Sequence, residues 1–380
     1  MSIRISFLTG TRADYGKLKP LMQKVQQLPN FESTILVTGM HLLEQYGLTV
    51  KQIELDDLGK IFLIPNSTSS QTMEASLART IERLAEHLSL NPTDLLIVHG
   101  DRIEALAGAI VGALRNIPVA HIEGGEVSGT IDGLIRHSIS KLSHLHFVSN
   151  NEAKQRLLQL GEDTRNIFVI GSPDVDILLS TNLPSLEIVK ARYGISFNEY
   201  AIAIFHPVTN EMETLREQVN NFCDALSKSE NNYVIIKPNN DMGTELVQEG
   251  LSKLQDPSKY LHIPSMRFEY FLTLLRNASY IIGNSSAGVR EAAYYGVPAI
   301  NIGSRQRERH KNQLIIDSEP LSTQILEAIL KSQFVLKTPI QGFGAGNSAE
   351  LFGKIINQSN FFPINTDKEF IDFMNKGEEK

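Results

Sequence analysis

The chain has 380 residues, 42% of them hydrophobic and 21% charged, the balance of a globular enzyme with apolar material for two cores at roughly 150 residues per domain. Its 43 Asp and Glu outnumber 36 Lys and Arg, and a net charge of −7 disfavours a nonspecific nucleic-acid binder, while the single cysteine, Cys223, excludes a disulfide framework or a cysteine-based zinc site and is expected to be an inert buried thiol. No apolar run reaches the ~18 residues of a membrane span and the N-terminus enters a strand without signal-peptide anatomy, so the expectation is a cytoplasmic protein that touches neither membrane nor nucleic acid.

Short apolar runs alternate with longer amphipathic ones. Residues 3–8 read as a strand ending in the turn Thr9-Gly10-Thr11, and 17–28 carries the helical spacing Leu18, Leu21, Met22, Val25. Strands follow at 33–37, 94–98, 119–122 and 145–148, with helices predicted at 77–88 and 103–114. Strands apolar on both faces and separated by helices predict a parallel sheet covered on both sides, and the handedness of such crossovers makes a doubly wound sheet the natural solution. After Gly171-Ser172-Pro173 the pattern restarts, with strands expected at 200–205, 233–237, 261–263, 280–282 and 299–302 and helices at 216–226, 267–276 and 288–295. The expected architecture is α/β, with two Rossmann-like, doubly wound domains over 1–172 and 173–365 facing an interdomain cleft, and a polar stretch at 366–380 forming a tail or a helix that packs back on the first domain. There is no short repeat and no low-complexity segment.

Three groups carry candidate chemistry. Gly10 to Lys17 follows the first strand, where a strand–turn–helix offers backbone N–H groups and a helix dipole to an anion; Arg12 adds a planar fork and Lys17 a point charge. It matches neither the P-loop nor the dinucleotide fingerprint, and the plain alternative is a βα turn with two solvated cations. Gly283 to Glu291 also follows a strand and opens a helix: Ser285 or Ser286 would cap it and leave N–H groups for a phosphate, and Glu291 sits where it can accept from ribose hydroxyls, the alternative being an ordinary serine cap. The third group is acidic. Asp101 follows the strand Leu95–Val98, Glu123 follows Val119–Ile122, and Asp132 precedes Arg136 and His137 on a helix. Carboxylates at neighbouring strand ends meet in one place, as general acid–base work requires, unless they cap helices or pair with Arg102 and Arg136. His206 and His41 also sit at strand ends, where a histidine is either a packed, hydrogen-bonded residue or a participant. Arg305 opens the basic run 305–310, which reads as a solvated loop or a nucleotide contact. No spacing suits a metal.

The segments GTRADYGKL, TGMHL, HGDRIEAL, HIEGGEVSGTIDGLIRH, FHPVT, GNSSAGVRE and INIGSRQ, from residue 9 to about 305, with a weaker GFGAGNSAE reaching 350, resemble those of the hydrolysing UDP-N-acetylglucosamine 2-epimerases. These enzymes release N-acetylmannosamine for sialic acid synthesis. The resemblance implies a GT-B-like fold and UDP contacts by Arg12, Ser285, Ser286, Glu291 and Arg305. It implies that Asp101, Glu123, Asp132 and His206 line the sugar site with Lys17, His41 and Arg102 nearby, and Asn240, in a block that varies among members, is a further binding candidate. It also implies a UDP-sugar substrate, no cofactor, no metal and a homodimer or homotetramer. A sister group acts on UDP-linked 2,4-diacetamido sugars of the legionaminic acid route, and the non-hydrolysing epimerases carry different residues after GTR and after TG. A glycosyltransferase of the same architecture and a catalytically dead UDP-sugar sensor are the other classes that the fold admits.

Overall fold

The computed structural model describes residues 2–66, 72–128, 131–238, 242–306 and 312–372. The chain forms two compact units, one from Met1–Glu126, Asp132–Leu179 and Phe343–Lys380, the other from Val127–Ile131 and Ser180–Gly342.

The first unit contains β1 (Ile3–Thr9), α1 (Arg12–Gln26), β2 (Phe31–Val37), α2 (Val50–Asp56), β3 (Lys60–Leu63), α3 (Met73–Leu90), β4 (Leu95–His99), α4 (Ile103–Leu114), β5 (Val119–Ile122), α5 (Ile131–Leu142), β6 (Leu145–Val148), α6 (Asn151–Gln159), β7 (Ile167–Val169) and α7 (Pro173–Leu178). Its strands form one parallel sheet in the order β3-β2-β1-β4-β5-β6-β7. Alternate residues along each strand point to opposite helical layers. Ile5, Phe7, Ile35, Val37, Leu95 and Ile97 pack with Leu18, Leu21, Met22 and Val25 of α1. Leu8, Leu36, Leu96 and Val98 pack with Leu84 and Leu88 of α3 and Ala105 and Ala109 of α4. Strands buried on both faces are why the sequence shows unbroken apolar runs rather than alternation.

The second unit contains α8 (Leu186–Tyr193), β8 (Ala201–Ile204), α9 (Leu215–Lys228), β9 (Tyr233–Ile236), α10 (Thr244–Leu251), β10 (Tyr260–Ile263), α11 (Phe268–Arg276), β11 (Ile281–Gly283), α12 (Ser286–Val289), α13 (Glu291–Tyr294), β12 (Ala299–Ile302), β13 (Ile315–Ser318) and α14 (Ser322–Ser332). Its parallel sheet runs β10-β9-β8-β11-β12-β13. In both sheets the strand order reverses beside the unit's first strand, between β1 and β4 and between β8 and β11. Loops diverge at such a point, which is where open parallel sheets hold ligands. Gly283 ends β11 at φ +133°, and a Cβ there would lie 1.8 Å from the Ile204 carbonyl oxygen, so only glycine lets β8 and β11 close at their carboxyl ends.

Several expectations are corrected. The first unit does not stop at 172: α7 stays with it, burying Val175 and Leu178. The second unit does not run to 365, because the chain returns to the first at Phe343 and adds α15 (Ser348–Ile356) beside α1. There Phe352 and Ile356 join the core, and Asp176 accepts from the Ser348 and Ala349 N–H groups at 2.8 Å each, satisfying the free amides of the helix start. The helix expected at 288–295 is two shorter ones, α12 and α13, broken at the buried Arg290. Residues 366–372 contain no helix; they form an extended strap on the first unit. The Ile371 N–H donates to the Gly161 carbonyl at 3.1 Å, and Lys368 Nζ donates to the carbonyls of Ser140, Lys141 and Ser143 at the carboxyl end of α5 and lies 2.6 Å from Glu162. Residues 373–380 lie outside the described residues. Cys223 is buried as expected, and burial pushes its thiol up to about 11, so the thiolate is scarce at neutral pH. Among the described residues no helix is long and apolar enough to cross a membrane.

Burial holds His41, His121 and His146 below the ordinary imidazole value, and all three are wholly enclosed in the first unit. The unfolded chain protonates these rings below about pH 6.5 while the folded one does not, so their stabilising contribution is complete above that pH and is lost as the pH falls. The melting temperature is therefore expected to fall steadily from pH 7 to pH 5.5, with each ring adding up to about 1.4 kcal/mol per pH unit. His146→Gln should flatten that slope; a melting temperature independent of pH in this range would show that the rings are charged inside the fold.

Candidate active site

At the carboxyl end of β1, Thr11 caps α1 and Asp14 completes a capping box. The Asp14 carboxylate accepts from the N–H groups of Gly10 at 2.9 Å, Thr11 at 2.8 Å and Tyr15 at 2.7 Å, and from the Thr9 hydroxyl at 2.9 Å. This changes the reading of the Gly10–Lys17 turn as an amide cradle for an anion, because the protein's own carboxylate fills the Gly10 and Thr11 amides. What the turn offers a ligand is the half-buried Arg12 side chain at the first position of α1. His41 is enclosed beside it, with Nε2 3.0 Å from the Thr9 hydroxyl and Nδ1 2.5 Å from the Thr49 hydroxyl; burial lowers its pKa. Its ring braces the turn from within.

Glu123 follows β5 at φ +62°, a conformation that a residue with a Cβ rarely adopts. Its side chain is 2% exposed. One carboxylate oxygen accepts from the Ser172 hydroxyl, and the other lies 3.1 Å from His99 Nε2 and 3.6 Å from Lys17 Nζ. Lys17 also lies 2.9 Å from the buried Asp174. Two carboxylates, one ammonium, one imidazole and one hydroxyl thus form a single enclosed network, the arrangement that buried charge requires. Asp101, two residues past β4, pairs with Arg136, which also donates to the Glu123 carbonyl at 2.8 Å. Asp132 opens α5 four residues ahead of Arg136, on the same helix face. Arg102 immediately precedes α4 at its N-cap position, with Nε 3.4 Å from the buried Glu104.

In the second unit, the residues after β8, β11 and β12 converge. Asn284 accepts from the His206 N–H at 2.6 Å and donates to the His206 carbonyl at 2.8 Å, clamping that backbone. The Asn284 carbonyl accepts from Arg305 Nη1 at 3.2 Å and Gln306 Nε2 at 3.3 Å. Ser285 caps α12, its hydroxyl accepting from the Ala287 N–H at 3.3 Å; Ser286 is the first helical residue, and Glu291 starts α13, buried. His206, Ser285, Ser286 and Arg305 are thus brought together on one frame. Asn240 and residues 307–310 lie outside the described residues.

Sequence reasoning missed Ser172, Asp174, His99, Glu104 and Asn284. Ser172 and Asp174 follow β7, an edge strand too short to be seen, and Gly171-Ser172-Pro173 reads as a boundary. Had β7 been recognised, the strand-end logic that selects Asp101 and Glu123 would have selected Ser172.

A family model described as UDP-N-acetylglucosamine 2-epimerase matches residues 23–357. The chain belongs to that family. It is 44% identical to the UDP-N-acetylglucosamine 2-epimerase of Neisseria meningitidis serogroup B over 97% of its own length and 99% of the relative's. It is 32% identical to the hydrolyzing UDP-N,N'-diacetylbacillosamine 2-epimerase of Legionella pneumophila, covering 94% of this chain and 99% of that one. The polysialic acid biosynthesis protein P7 of Escherichia coli is 33% identical over 87% of the chain and 86% of its own length. The GT-B-like fold is shared with family structures: one of Methanocaldococcus jannaschii, in complex with UDP-GlcNAc and UDP, superposes with a TM-score of 0.80 at 22% identity, covering 93% of this chain and 99% of that one.

Asp14→Ala strips an acceptor from the Gly10 and Thr11 amides at once. By the usual weight of a helix cap it should lower the unfolding free energy by about 1–2 kcal/mol, read by denaturant titration. An unchanged midpoint would mean that water replaces the carboxylate and that the turn is open to anions after all.

Proposed function

We propose that the chain is a hydrolysing UDP-N-acetylglucosamine 2-epimerase, converting UDP-N-acetylglucosamine and water to N-acetylmannosamine and UDP. The observation that carries this reading is the enclosed carboxylate of Glu123, coupled to His99, Lys17 and Ser172, on the strand next to the one that presents Asp101. Two relatives whose names specify hydrolysis, from Legionella pneumophila at 32% identity and Campylobacter jejuni at 33%, support it. Both are named for diacetylbacillosamine substrates, so a UDP-2,4-diacetamido sugar is the second reading.

The hydrogen on the sugar carbon bearing the N-acetyl group is not next to a carbonyl, and no carboxylate is basic enough to remove it directly. Loss of UDP changes this. As the bond from the anomeric carbon to the diphosphate breaks, oxocarbenium-like charge at that carbon acidifies the neighbouring C–H. Arg12 and the Ser285-Ser286 helix start stabilise the charge on departing UDP; preorganised donors of this kind contribute about 3–4 kcal/mol each. One carboxylate takes the proton and leaves a glycal. A second takes a proton from water as its oxygen adds to the anomeric carbon, and a proton returns to the neighbouring carbon on the opposite face. Asp101 and Glu123 form this pair, Asp132 is the third acid, His206, Lys17 and Arg102 complete the sugar side, and the enclosed His41 supports the turn beneath it. Glu291 and Arg305 hold the nucleotide. Elimination followed by hydration leaves no net oxidation, so neither NAD nor a metal is required.

Turnover of UDP-N-acetylglucosamine in heavy water, followed by NMR, should release free N-acetylmannosamine with one deuterium on the epimerised carbon. Product without deuterium would rule out the elimination, and a UDP-sugar product would identify a non-hydrolysing epimerase. The diacetamido substrate, supplied separately, decides between the two sugars. Glu123→Gln should lower kcat by at least about 100-fold with UDP affinity within a few-fold of the parent; loss of UDP binding with turnover intact would make Glu123 a structural residue.

A further inference from the structure

Arg136 is among the largest fully buried side chains of the protein, at 1% exposure. A guanidinium cannot shed its proton, so enclosing it is unfavourable unless its donors are matched. The acceptors of its two terminal nitrogens come from the segments beyond β4 and β5. Nη2 donates to the Asp101 carboxylate beyond β4. Nη1 donates to the Glu123 carbonyl beyond β5 at 2.8 Å and lies 3.7 Å from the buried Glu126 carboxylate. Glu126 in turn accepts from Ser149, at the end of β6, at 2.9 Å.

The segment held in this way has unusual backbone. Glu123 stands at φ +62° and Gly125 at φ +76°, and a Cβ on Gly125 would lie 2.3 Å from the Ala153 carbonyl oxygen. A left-handed glutamate persists only where its surroundings over-determine it. From within its unit the Glu123 residue is gripped at three points: its N–H donates to the Phe147 carbonyl at 2.9 Å, its side chain is held by Ser172 and His99, and its carbonyl by Arg136. The Arg136 grip alone also reaches Asp101.

We propose that Arg136 is a positioning residue: its planar fork ties the Asp101 carboxylate to the left-handed Glu123 backbone, so that two acids on different strands keep one relative placement. The proposal rests on the acid–base reading given above. It requires a fork rather than a charge, since two N–H groups in one plane must meet a carboxylate and a carbonyl at once, and an ammonium presents its donors tetrahedrally.

The test uses Arg136→Lys and Arg136→Ala in the full chain. With the melting temperature as a check on folding, Arg136→Lys should lower kcat roughly 100-fold, the effect of misplacing a catalytic group by about 1 Å. KM should stay within about threefold, because substrate binding is untouched. Guanidinium ion should restore kcat of Arg136→Ala at least about tenfold by refilling the fork, and methylammonium should not. Unchanged kcat in Arg136→Lys, a rise in KM alone, or no rescue of a folded Arg136→Ala would overturn the proposal. If Arg136→Ala does not fold, the kcat and KM of Arg136→Lys decide. If the parent protein turns over no UDP-sugar, the functional reading fails separately, and a crystal structure of Arg136→Lys carries the test: Glu123 should leave positive φ and Asp101 should rotate away, whereas both in place would overturn the positioning role.

Discussion

Everything at the candidate site depends on the parallel register of β4 and β5. Val98 pairs with His121 and His99 with Ile122, so the two strands end level and the residues just beyond them, Asp101 and Glu123, emerge at one edge of the sheet. Helices cover both faces, and a polar side chain at that edge is therefore partly removed from water wherever the loops fold over it. The free energy of burying charge then dictates the rest. Glu123 requires donors and has them in Ser172, His99 and Lys17; Lys17 requires a second anion and has Asp174; Arg136 requires acceptors and has Asp101, the Glu123 carbonyl and Glu126. The network follows from the topology once these residue types occupy those positions.

Within that network the acids are not equivalent. The Glu123 side chain is 2% exposed and surrounded by donors, while the Asp101 side chain is 23% exposed and gripped from beneath by Arg136. Two carboxylates in unlike environments are what a reaction needs when one group must take a proton and another must give one. The strained Glu123 backbone belongs to the same logic. A glycine at φ +62° would relieve the strain, and a glutamate held there against its preference indicates that the carboxylate, not the turn, is what the position serves.

Much of this was legible in the sequence because strand ends are. The apolar runs before Gly10, Asp101, Glu123, His206 and Asn284 all became strands within a residue or two of their expected bounds, and the polar residues after them stand at the carboxyl ends of the two sheets. The edge strands β3, β7 and β13 were not legible. They are only partly covered and have three or four residues each, so their apolar runs are too short to stand apart from loop sequence. Missing β7 hid Ser172 and Asp174. The return of the chain at Phe343 was hidden for another reason: α15 is anchored by Asp176, a contact between residues 172 positions apart that no local pattern carries. The Gly10–Lys17 turn reads as open to an anion because an acid near a helix start and an anion site are written in the same residues, and only geometry shows that Asp14 occupies the amides.

The two sheets repeat one topology with different chemistry at their ends. The first gathers Asp101, Glu123, Glu126 and Asp174 around Lys17 and Arg136 and holds Asp14 on backbone amides. The second gathers an asparagine clamp, a serine cap, Arg305 and Gln306 around the His206 backbone. A diphosphate beside unlike charge or amide dipoles is stabilised, and beside a carboxylate it is repelled, by an amount that grows as water is excluded. Both ends carry acids, since Glu291 is buried at the start of α13 and Glu211 accepts from the Ser304 hydroxyl, but the buried pairs of acid with Lys17 and Arg136 belong to the first unit alone among the described residues, so an added anion meets a different field at each sheet end.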